Sequence, residues 1–320
     1  MTETSSWTYM PSFEGDRILE RLFAVEHNDL QYLMDPPSSL EPGATVLHIS
    51  CNTSSIPHMA YLAQRVLEAL DIPFISLGGP ENCCGAVQWA FDDEMRARQV
   101  ATLSLGGFRR VKPVKVVSTC PDCDMIFSLY KGKQYKFEQA NMLDVFAENR
   151  DRLAPLLKHR VNKRVILHAH DENPQRQADA RALRQILELV PGLEIVEAES
   201  AGGLGNHCMV KTGRFDGTMF EPVVKAMFDE AKALGAEALV VPYHGCYRQN
   251  IKHQVKFGVE IFHYLTLIAQ SIGIPYRERF KEIRLLDDIE AAFRELKPRA
   301  DELGITDEEL RAALEHKVYV

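Results

Sequence analysis

The apolar residues of the first half of the chain form short runs that alternate with helical patterns. Thr45–Ser50, Pro73–Leu77 and Val114–Thr119 are brief, largely apolar segments, and each is typical of a buried strand. Between them, Pro57–Leu70 and Ala86–Gly106 have the length and apolar spacing of helices. Strands that alternate with helices indicate a parallel α/β layer structure.

The same order of elements recurs further along the chain. The corresponding first strands and third strands are about 120 residues apart, which indicates an internal repeat. The elements expected in the second copy are Arg164–Ala169, Arg176–Val190, Glu194–Ala198, Gly217–Leu234, Ala238–Pro242 and Tyr247–Ser271. Two further helical stretches, Asp122–Tyr130 and Gln139–Leu157, close the first copy.

The sequence therefore predicts an α/β fold with two pseudo-repeated parallel-sheet lobes and flanking helices. A chain of 320 residues exceeds what one compact core usually supports, in agreement with two lobes. We expect an N-terminal arm at 1–43, a first lobe at 44–160 and a second lobe at 161–276. Residues 277–320 carry helical periodicity and are expected to form a helical tail packed on the second lobe.

Composition excludes several classes of function. The 37 basic and 45 acidic residues give a formal net charge of −8, which disfavours a nucleic-acid-binding protein. The N-terminus lacks the pattern of an export signal, and no apolar run approaches the roughly 20 residues that span a bilayer. We expect a cytoplasmic protein without a membrane span, in which clustered cysteines bind metal or carry out redox chemistry.

Five of the seven cysteines follow predicted strands of the first lobe or precede its second helix. They are Cys51, Cys83, Cys84, Cys120 and Cys123, arranged as C-x31-CC-x35-C-x2-C. Because the carboxyl ends of parallel strands meet at one edge of a sheet, these thiols are expected to converge. Thiolate ligands select zinc, copper(I) or an iron–sulfur cluster.

The number of thiols favours an iron–sulfur cluster. A structural zinc site takes four ligands, and so does an ordinary cubane cluster. A fifth thiolate, adjacent to another in a Cys-Cys pair, leaves one ligand to spare in either geometry. Zinc stays open as the alternative.

The motif Cys51, Cys83-Cys84-Gly85, Cys120-Pro-Asp-Cys123 resembles the CCG motif in the B subunit of heterodisulfide reductase. This motif also occurs in subunits of glycolate, lactate and glycerol-3-phosphate oxidising systems and in sulfur-oxidising heterodisulfide-reductase-like complexes. The resemblance spans residues 45–276 in two copies. It implies a noncubane [4Fe-4S] cluster held by all five thiolates, and disulfide chemistry at that cluster.

The second copy departs from the family pattern. Of the expected cysteines only Cys246 is in place, and Cys208 lies a few residues downstream of the second CCG position. A second five-thiolate cluster is therefore excluded on this chain alone. Four histidines are expected near the same edge, namely His168, His170, His207 and His244.

Three interpretations of this second edge stay open. It is a decayed site, or a mixed cysteine and histidine site for zinc that uses Cys208, Cys246 and one or two of the histidines. Alternatively it is a substrate pocket, in which Cys208 or Cys246 acts as a thiol and His207 or His244 donates a proton. Cleavage of an S–S bond requires protonation of the departing thiolate.

The function predicted from these residues is that of an iron–sulfur subunit of an oxidoreductase complex acting on a small disulfide or thiol substrate. The sequence contains no flavin or nicotinamide fingerprint, so electrons must pass through another polypeptide. The resemblance implies a ferredoxin-like iron–sulfur subunit and a flavoprotein subunit as partners. The alternatives are a quinone-linked hydroxy-acid dehydrogenase subunit and a non-catalytic scaffold stapled by its metal.

Overall fold

The computed structural model describes residues 10–24, 44–79, 82–199 and 220–319, and these form two four-stranded sheets. Every strand pair in both sheets is parallel. The first sheet contains β1 (Thr45–Ile49), β2 (Phe74–Gly78), β3 (Lys115–Ser118) and β4 (Glu138–Asn141), in the order β2-β1-β3-β4. The second contains β5 (Lys163–Leu167), β6 (Leu193–Val196), β7 (Ala238–Val241) and β8 (Glu260–His263), in the order β6-β5-β7-β8. The predicted α/β class and its repeat are confirmed.

Helices flank both sheets. The first half of the described chain contains α1 (Met10–Phe23), α2 (His58–Ala69), α3 (Ala86–Ala90), α4 (Glu94–Arg110), α5 (Pro121–Tyr130), α6 (Met142–Glu148) and α7 (Arg150–Leu153). The second half contains α8 (Pro174–Leu187), α9 (Phe220–Ala233), α10 (His244–Asn250), α11 (His253–Phe257), α12 (Tyr264–Ile272), α13 (Arg279–Arg284), α14 (Ile289–Glu302) and α15 (Asp307–Ala313). None of the helices in these described parts is long and apolar enough to cross a membrane.

Two four-residue strands were missed by the sequence pattern, β4 because it is polar and β8 because it lies within a stretch that has helical periodicity. β4 lies at an edge of its sheet and its sequence, EQAN, is polar, so it shows no apolar alternation. β8 interrupts the long helix expected at Tyr247–Ser271, where Gly258 adopts φ 68° and ends α11. The helix expected at Ala86–Gly106 is likewise divided into α3 and α4, with Asp92 at φ 63° between them.

Two helix pairs join the lobes in a pseudo-symmetric way. α2, which follows β1, packs on α12, which follows β8. α6, which follows β4, packs on α8, which follows β5. Each pair thus joins a helix that follows the first strand of one lobe to a helix that follows the last strand of the other. One continuous apolar core extends through both lobes as a result.

The C-terminal helices pack against the N-terminal helix as well as against the second lobe. α1 contacts α15, and the rings of Phe23 and Phe280 meet edge to face at 6.0 Å. Lys317 Nζ lies 2.9 Å from Asp16 Oδ2. The expected tail is therefore helical, and its helices and α1 contribute side chains to the same apolar core. The boundaries drawn at residues 43, 160 and 276 stay predictions.

The carboxyl ends of the two sheets face each other. Ser50, which directly follows β1, places its Oγ 3.2 Å from Nδ1 of His244, which follows β7 after a short gap. Residues after β1 and β3 and residues after β5 and β7 line one common cavity. Side chains placed just beyond these strands are therefore brought to a single site.

Gly85 closes the loop between β2 and α3. Its φ of 86° is in the left-handed region, where side chains are disfavoured. A Cβ at this position would lie 2.6 Å from the carbonyl oxygen of Ala97, which belongs to the backbone of α4. The glycine is required both by its dihedral angle and by the close approach of the next helix.

Replacing Gly85 by Ala is expected to lower the free energy of unfolding more than replacing Gly258 by Ala. Both substitutions incur the left-handed cost of about 1–2 kcal/mol. A Cβ at Gly258 would meet no atom within 4 Å, so the additional loss of about 1–3 kcal/mol belongs to Gly85 alone. Urea denaturation followed by circular dichroism measures both values, and equal losses would contradict the packing argument.

Candidate metal centre

The five cysteines of the first lobe all line one cavity of about 240 Å³. Cys51 begins the 3-10 turn Cys51–Ser55, directly after Ser50, which follows β1. Cys83 and Cys84 precede α3, and Cys120 is the N-cap of α5, with Cys123 in its first turn. All five side chains are buried. The structure thus brings together the set that the sequence singled out, while metal binding by it stays a prediction.

Hydrogen bonds hold the loop that carries Cys83 and Cys84. The Gly85 amide donates to Cys83 Sγ at 3.4 Å, and the Ser104 hydroxyl donates to the Cys83 carbonyl at 2.7 Å. His48 Nε2 donates to the Asn82 carbonyl at 2.7 Å, because a carbonyl oxygen only accepts. Burial lowers the pKa of His48 to about 4, so this histidine is neutral at pH 7. The loop is positioned by groups outside the thiol cluster.

The thiols are close enough to perturb one another. Cys51 Sγ and Cys83 Sγ lie 3.7 Å apart, and this hydrogen bond together with burial raises the pKa of Cys51 well above its usual value. The hydrogen bond from Cys123 lowers the pKa of Cys120 to about 5 and raises the pKa of Cys123 in turn. Five buried thiols at one place cannot all ionise without a compensating cation. A bound metal supplies that charge and deprotonates its thiol ligands.

A second group of ligand atoms lies in the second lobe. His168 Nε2 and His170 Nε2 are 3.1 Å apart, and Cys246 Sγ is 3.4 Å from His170 Nε2. One ligand atom from each residue lies within 4.8 Å of the others, and all three side chains are buried. We call these three residues the second-lobe trio; they could hold a metal ion.

The trio adjoins the thiol cavity. His170 and Cys246 line the same cavity as the five cysteines of the first lobe. The candidate ligands of both lobes therefore face one enclosed space. This arrangement follows from the apposition of the carboxyl ends of the two sheets.

The structure describes some of the remaining sequence candidates and not others. His244 is buried, pairs with Ser50, and hydrogen-bonds to Cys120. Its ring lies 4.9 Å from that of His263. His207 and Cys208 lie outside the described residues. Of the four proposed reacting groups, Cys246 lines the cavity, and His244 contacts Ser50 and Cys120, which line it.

A charged network spans the lobes beside the cavity and was missed by sequence reasoning. Arg176, on α8, forms an ion pair with Asp122, which lies between Cys120 and Cys123 on α5. The Arg176 guanidinium also lies 4.2 Å from the centre of the Tyr243 ring. Asp122 was part of the quoted Cys-Pro-Asp-Cys motif, but nothing in the sequence indicated its partner.

Asp179 connects the lobes through a buried carboxylate. Asn141 Nδ2 and Gln175 Nε2 donate to Asp179 Oδ1, each at 3.0 Å, and the Tyr243 hydroxyl lies 3.4 Å from Oδ2. Burial raises the pKa of Asp179 to about 6, although these donors oppose the rise. The carboxylate is therefore ionised at pH 7, and its burial in the charged form lowers the free energy of unfolding.

Comparison with known proteins identifies the first lobe. Residues 45–128 match the family described as the cysteine-rich domain, CCG. This range contains all five cysteines of the cavity. The chain thus carries a CCG cysteine-rich domain.

Distant relatives share more of the chain. The D subunit of dihydromethanophenazine:CoB–CoM heterodisulfide reductase from Methanosarcina barkeri is 21% identical over 269 residues, and that from Methanosarcina mazei is 22% identical over 271. Each alignment covers 79% of this chain and 65% of the relative, so the chain spans about two thirds of their length. A solved structure of a hypothetical protein from Helicobacter pylori is 10% identical with a TM-score of 0.46. That comparison covers 87% of this chain and 56% of the other.

Replacing Asp179 by Asn is expected to raise the free energy of unfolding at pH 8 by about 1–3 kcal/mol. The folded pKa of about 6 lies above the ordinary value of 3.8, so the folded chain holds an extra proton between these values. Stability from this group is present at low pH and is lost as the pH rises through about 6. Urea denaturation from pH 4 to pH 8 should show a smaller fall in the variant than in the native chain, because Asp124, whose pKa burial raises to about 7, contributes a fall of its own.

The control is Asp301→Asn, because the Asp301 side chain is 58% exposed. Its pH profile should follow that of the native chain. A decline in Asp179→Asn as large as that of the native chain would show that Asp179 makes no contribution to it.

Proposed function

We propose that this chain is the iron–sulfur subunit of an oxidoreductase complex. In this proposal a noncubane [4Fe-4S] cluster is bound by Cys51, Cys83, Cys84, Cys120 and Cys123, and it serves electron transfer coupled to disulfide or related sulfur-bond chemistry. The observation that carries the proposal is the convergence of five buried thiols on one cavity, within the range that matches the CCG domain.

The donor set fits an anionic sulfur-rich cluster. Thiolates are the ligands of iron–sulfur clusters, and amide donors to sulfur tune their potentials. Gly85 supplies one such donor to Cys83. Cavity walls formed by Trp89, Phe91 and Ile126 reduce access of water. When bound, the cluster would supply one-electron storage and release at this position.

The cavity also offers room for a small disulfide or thiol. Reductive cleavage converts one disulfide, two electrons and two protons into two thiols. His244 is the proposed proton donor, since it hydrogen-bonds to Cys120 and lies at the end of β7 that faces the cavity. His207 and Cys208 stay candidates from the sequence.

Electrons are proposed to enter from a ferredoxin-like iron–sulfur subunit, which in turn receives them from a flavoprotein. The relatives are named as reductase subunits, which supports an assembly. Val87 and Phe91 line the cavity and are 43% and 61% exposed, and Met95 is 74% exposed nearby on α4. We assign this apolar patch to the ferredoxin-like subunit, because docking there would bring its cluster close to the thiols.

The sulfur-oxidising heterodisulfide-reductase-like branch is the proposed placement. The curated relatives are named as the D subunit of their enzyme, whereas the motif of the first lobe resembles that of the B subunit. The second lobe retains only Cys246 of its expected cysteine set. Because the chain has one complete set of five cysteines, we propose that it is a divergent member of this branch. A single cluster would act in it together with side chains other than a second cysteine set.

Replacing Cys84 by Ser is expected to reduce bound iron from about four atoms per chain to less than half that value, because a cluster ligand is removed. The test is iron and acid-labile sulfide analysis after anaerobic purification. The matched control is Cys246→Ser, which should retain the iron and sulfide. Zinc in place of iron in the native chain, or unchanged iron in Cys84→Ser, would contradict the ligand assignment.

The same Cys84→Ser variant should lose turnover by at least about 10²-fold in the assembled complex. Reduction of hydroxyethyl disulfide by reduced methyl viologen provides the assay, with unfolding measured in parallel. If turnover persists while stability falls, the site is a structural staple and the scaffold alternative is correct.

Replacing His244 by Gln is expected to lower this turnover by about 10²–10⁴-fold, because the proton donor is lost. Iron content should stay at the native value, which separates proton donation from cluster assembly. His316→Gln, an exposed histidine near the C-terminus, is the control. Native turnover in His244→Gln would remove His244 from the mechanism.

A further inference from the structure

We propose that the second-lobe trio, His168, His170 and Cys246, binds a zinc ion that keeps one coordination position open to the thiol cavity. That position would take the sulfur of a thiol as thiolate. The zinc site stands on the geometry of the trio, whereas the substrate thiol as its fourth ligand rests on the proposed function.

The distances within the trio match a tetrahedral zinc site. Zn–N bonds of about 2.0–2.1 Å and a Zn–S bond of about 2.3 Å at tetrahedral angles place two nitrogens about 3.3 Å apart and nitrogen and sulfur about 3.6 Å apart. The corresponding distances are 3.1 Å between His168 Nε2 and His170 Nε2 and 3.4 Å between His170 Nε2 and Cys246 Sγ. The third pair, His168 Nε2 and Cys246 Sγ, lies within 4.8 Å, so a cation between the three atoms would draw these two closer together.

The ligands are carried by regular elements of the second lobe. His168 directly follows β5, and its amide donates to the Val240 carbonyl of β7 at 2.8 Å. Cys246 lies in the first turn of α10, and its carbonyl accepts from Asn250 Nδ2 at 2.8 Å. Rigid backbone positions of this kind preserve the geometry of a metal site.

A carboxylate lies near the second ring nitrogen of His170, beyond hydrogen-bond distance. Its Nδ1, on the opposite side of the ring from Nε2, lies 3.8 Å from Glu172 Oε2. Arg176 Nε in turn lies 3.3 Å from Glu172 Oε1. A shift of the carboxylate by less than about 1 Å would bring it within hydrogen-bond distance, where it would orient the imidazole toward the metal and increase its basicity.

Among the residues that the structure describes, three ligand atoms meet at this point, which leaves one position of a tetrahedral zinc for an exchangeable ligand. Structural zinc is normally enclosed by four protein ligands, whereas reactive zinc has three and exchanges the fourth. His170 and Cys246 border the cavity, so an exchangeable position would face the five thiols of the first lobe. Binding of a thiol there would break the S–H bond, displace the water held at the fourth position, form a zinc–sulfur bond and release one proton to solvent, since zinc binds the thiolate.

Metal analysis tests the site in the full chain. Zinc and iron are measured by mass spectrometry after anaerobic purification and incubation with micromolar zinc chloride. We expect about one zinc per chain, at least tenfold less in His168→Ala and in Cys246→Ser, and native zinc in His253→Gln. His253 is a buried histidine of the same lobe that packs on Phe228. Absence of zinc from the native chain, or retention of zinc in both trio variants, overturns the proposal.

Zinc K-edge X-ray absorption of the native chain decides the case even if the variants fail to fold. The expected ligands are two imidazole nitrogens, one sulfur at about 2.3 Å and one light atom. Addition of 2-mercaptoethanol should raise the sulfur number from one to two. A spectrum without nitrogen overturns the trio as ligands, and a sulfur number that stays at one overturns the open position.

Measurement of iron distinguishes failure of the zinc site from failure of the iron–sulfur site. Loss of zinc with native iron in Cys246→Ser, together with loss of iron in Cys84→Ser, supports two independent metals. Failure of the iron assignment would leave the zinc assignment unaffected.

Discussion

The apposition of two parallel sheets, carboxyl edge to carboxyl edge, is the constraint on which the candidate site depends. The helix pairs α2–α12 and α6–α8 impose it. Each pair packs a helix that follows the first strand of one lobe against a helix that follows the last strand of the other. Loops that follow β1, β3, β5 and β7 are thereby directed into one enclosed space. A single sheet would bring the five thiols together, but the trio could not share their cavity.

The same apposition explains why so many ionisable groups are buried between the lobes. Asn141 and Asp179 connect α6 to α8, and Ser50 pairs with His244 across the junction. His263 caps α12 through its Nδ1, at the position that Asn141 occupies before α6. Polar groups at these equivalent positions satisfy helix N-termini that would otherwise be buried without acceptors.

The fold class and the first-lobe cysteines were predictable because both follow from local patterns. Strands such as β1, β3 and β7 are largely apolar, and the cysteines stand directly beyond strand ends or before a helix. β4 and β8 could not be found in this way, since β4 is polar and β8 lies within a stretch that has helical periodicity. Their existence depends on pairing with β3 and β7, which is a tertiary effect. The second-lobe site was only partly predictable, because the pattern brought His168, His170, His244 and Cys246 to one edge without distinguishing which of them meet. The pairing of Arg176 with Asp122 joins residues 54 positions apart, and no local pattern carries that information.

The packing of α1 against the C-terminal helices has a consequence for the order in which parts of the site can form. α1 packs on the turn that begins with Cys51 and also on α15 and the residues that follow it. During synthesis the ribosome would release Cys51 long before Lys317 emerges to pair with Asp16. The thiols of the cavity are therefore synthesised well before the contacts between α1 and the last helices, which complete the core beside Cys51, can form.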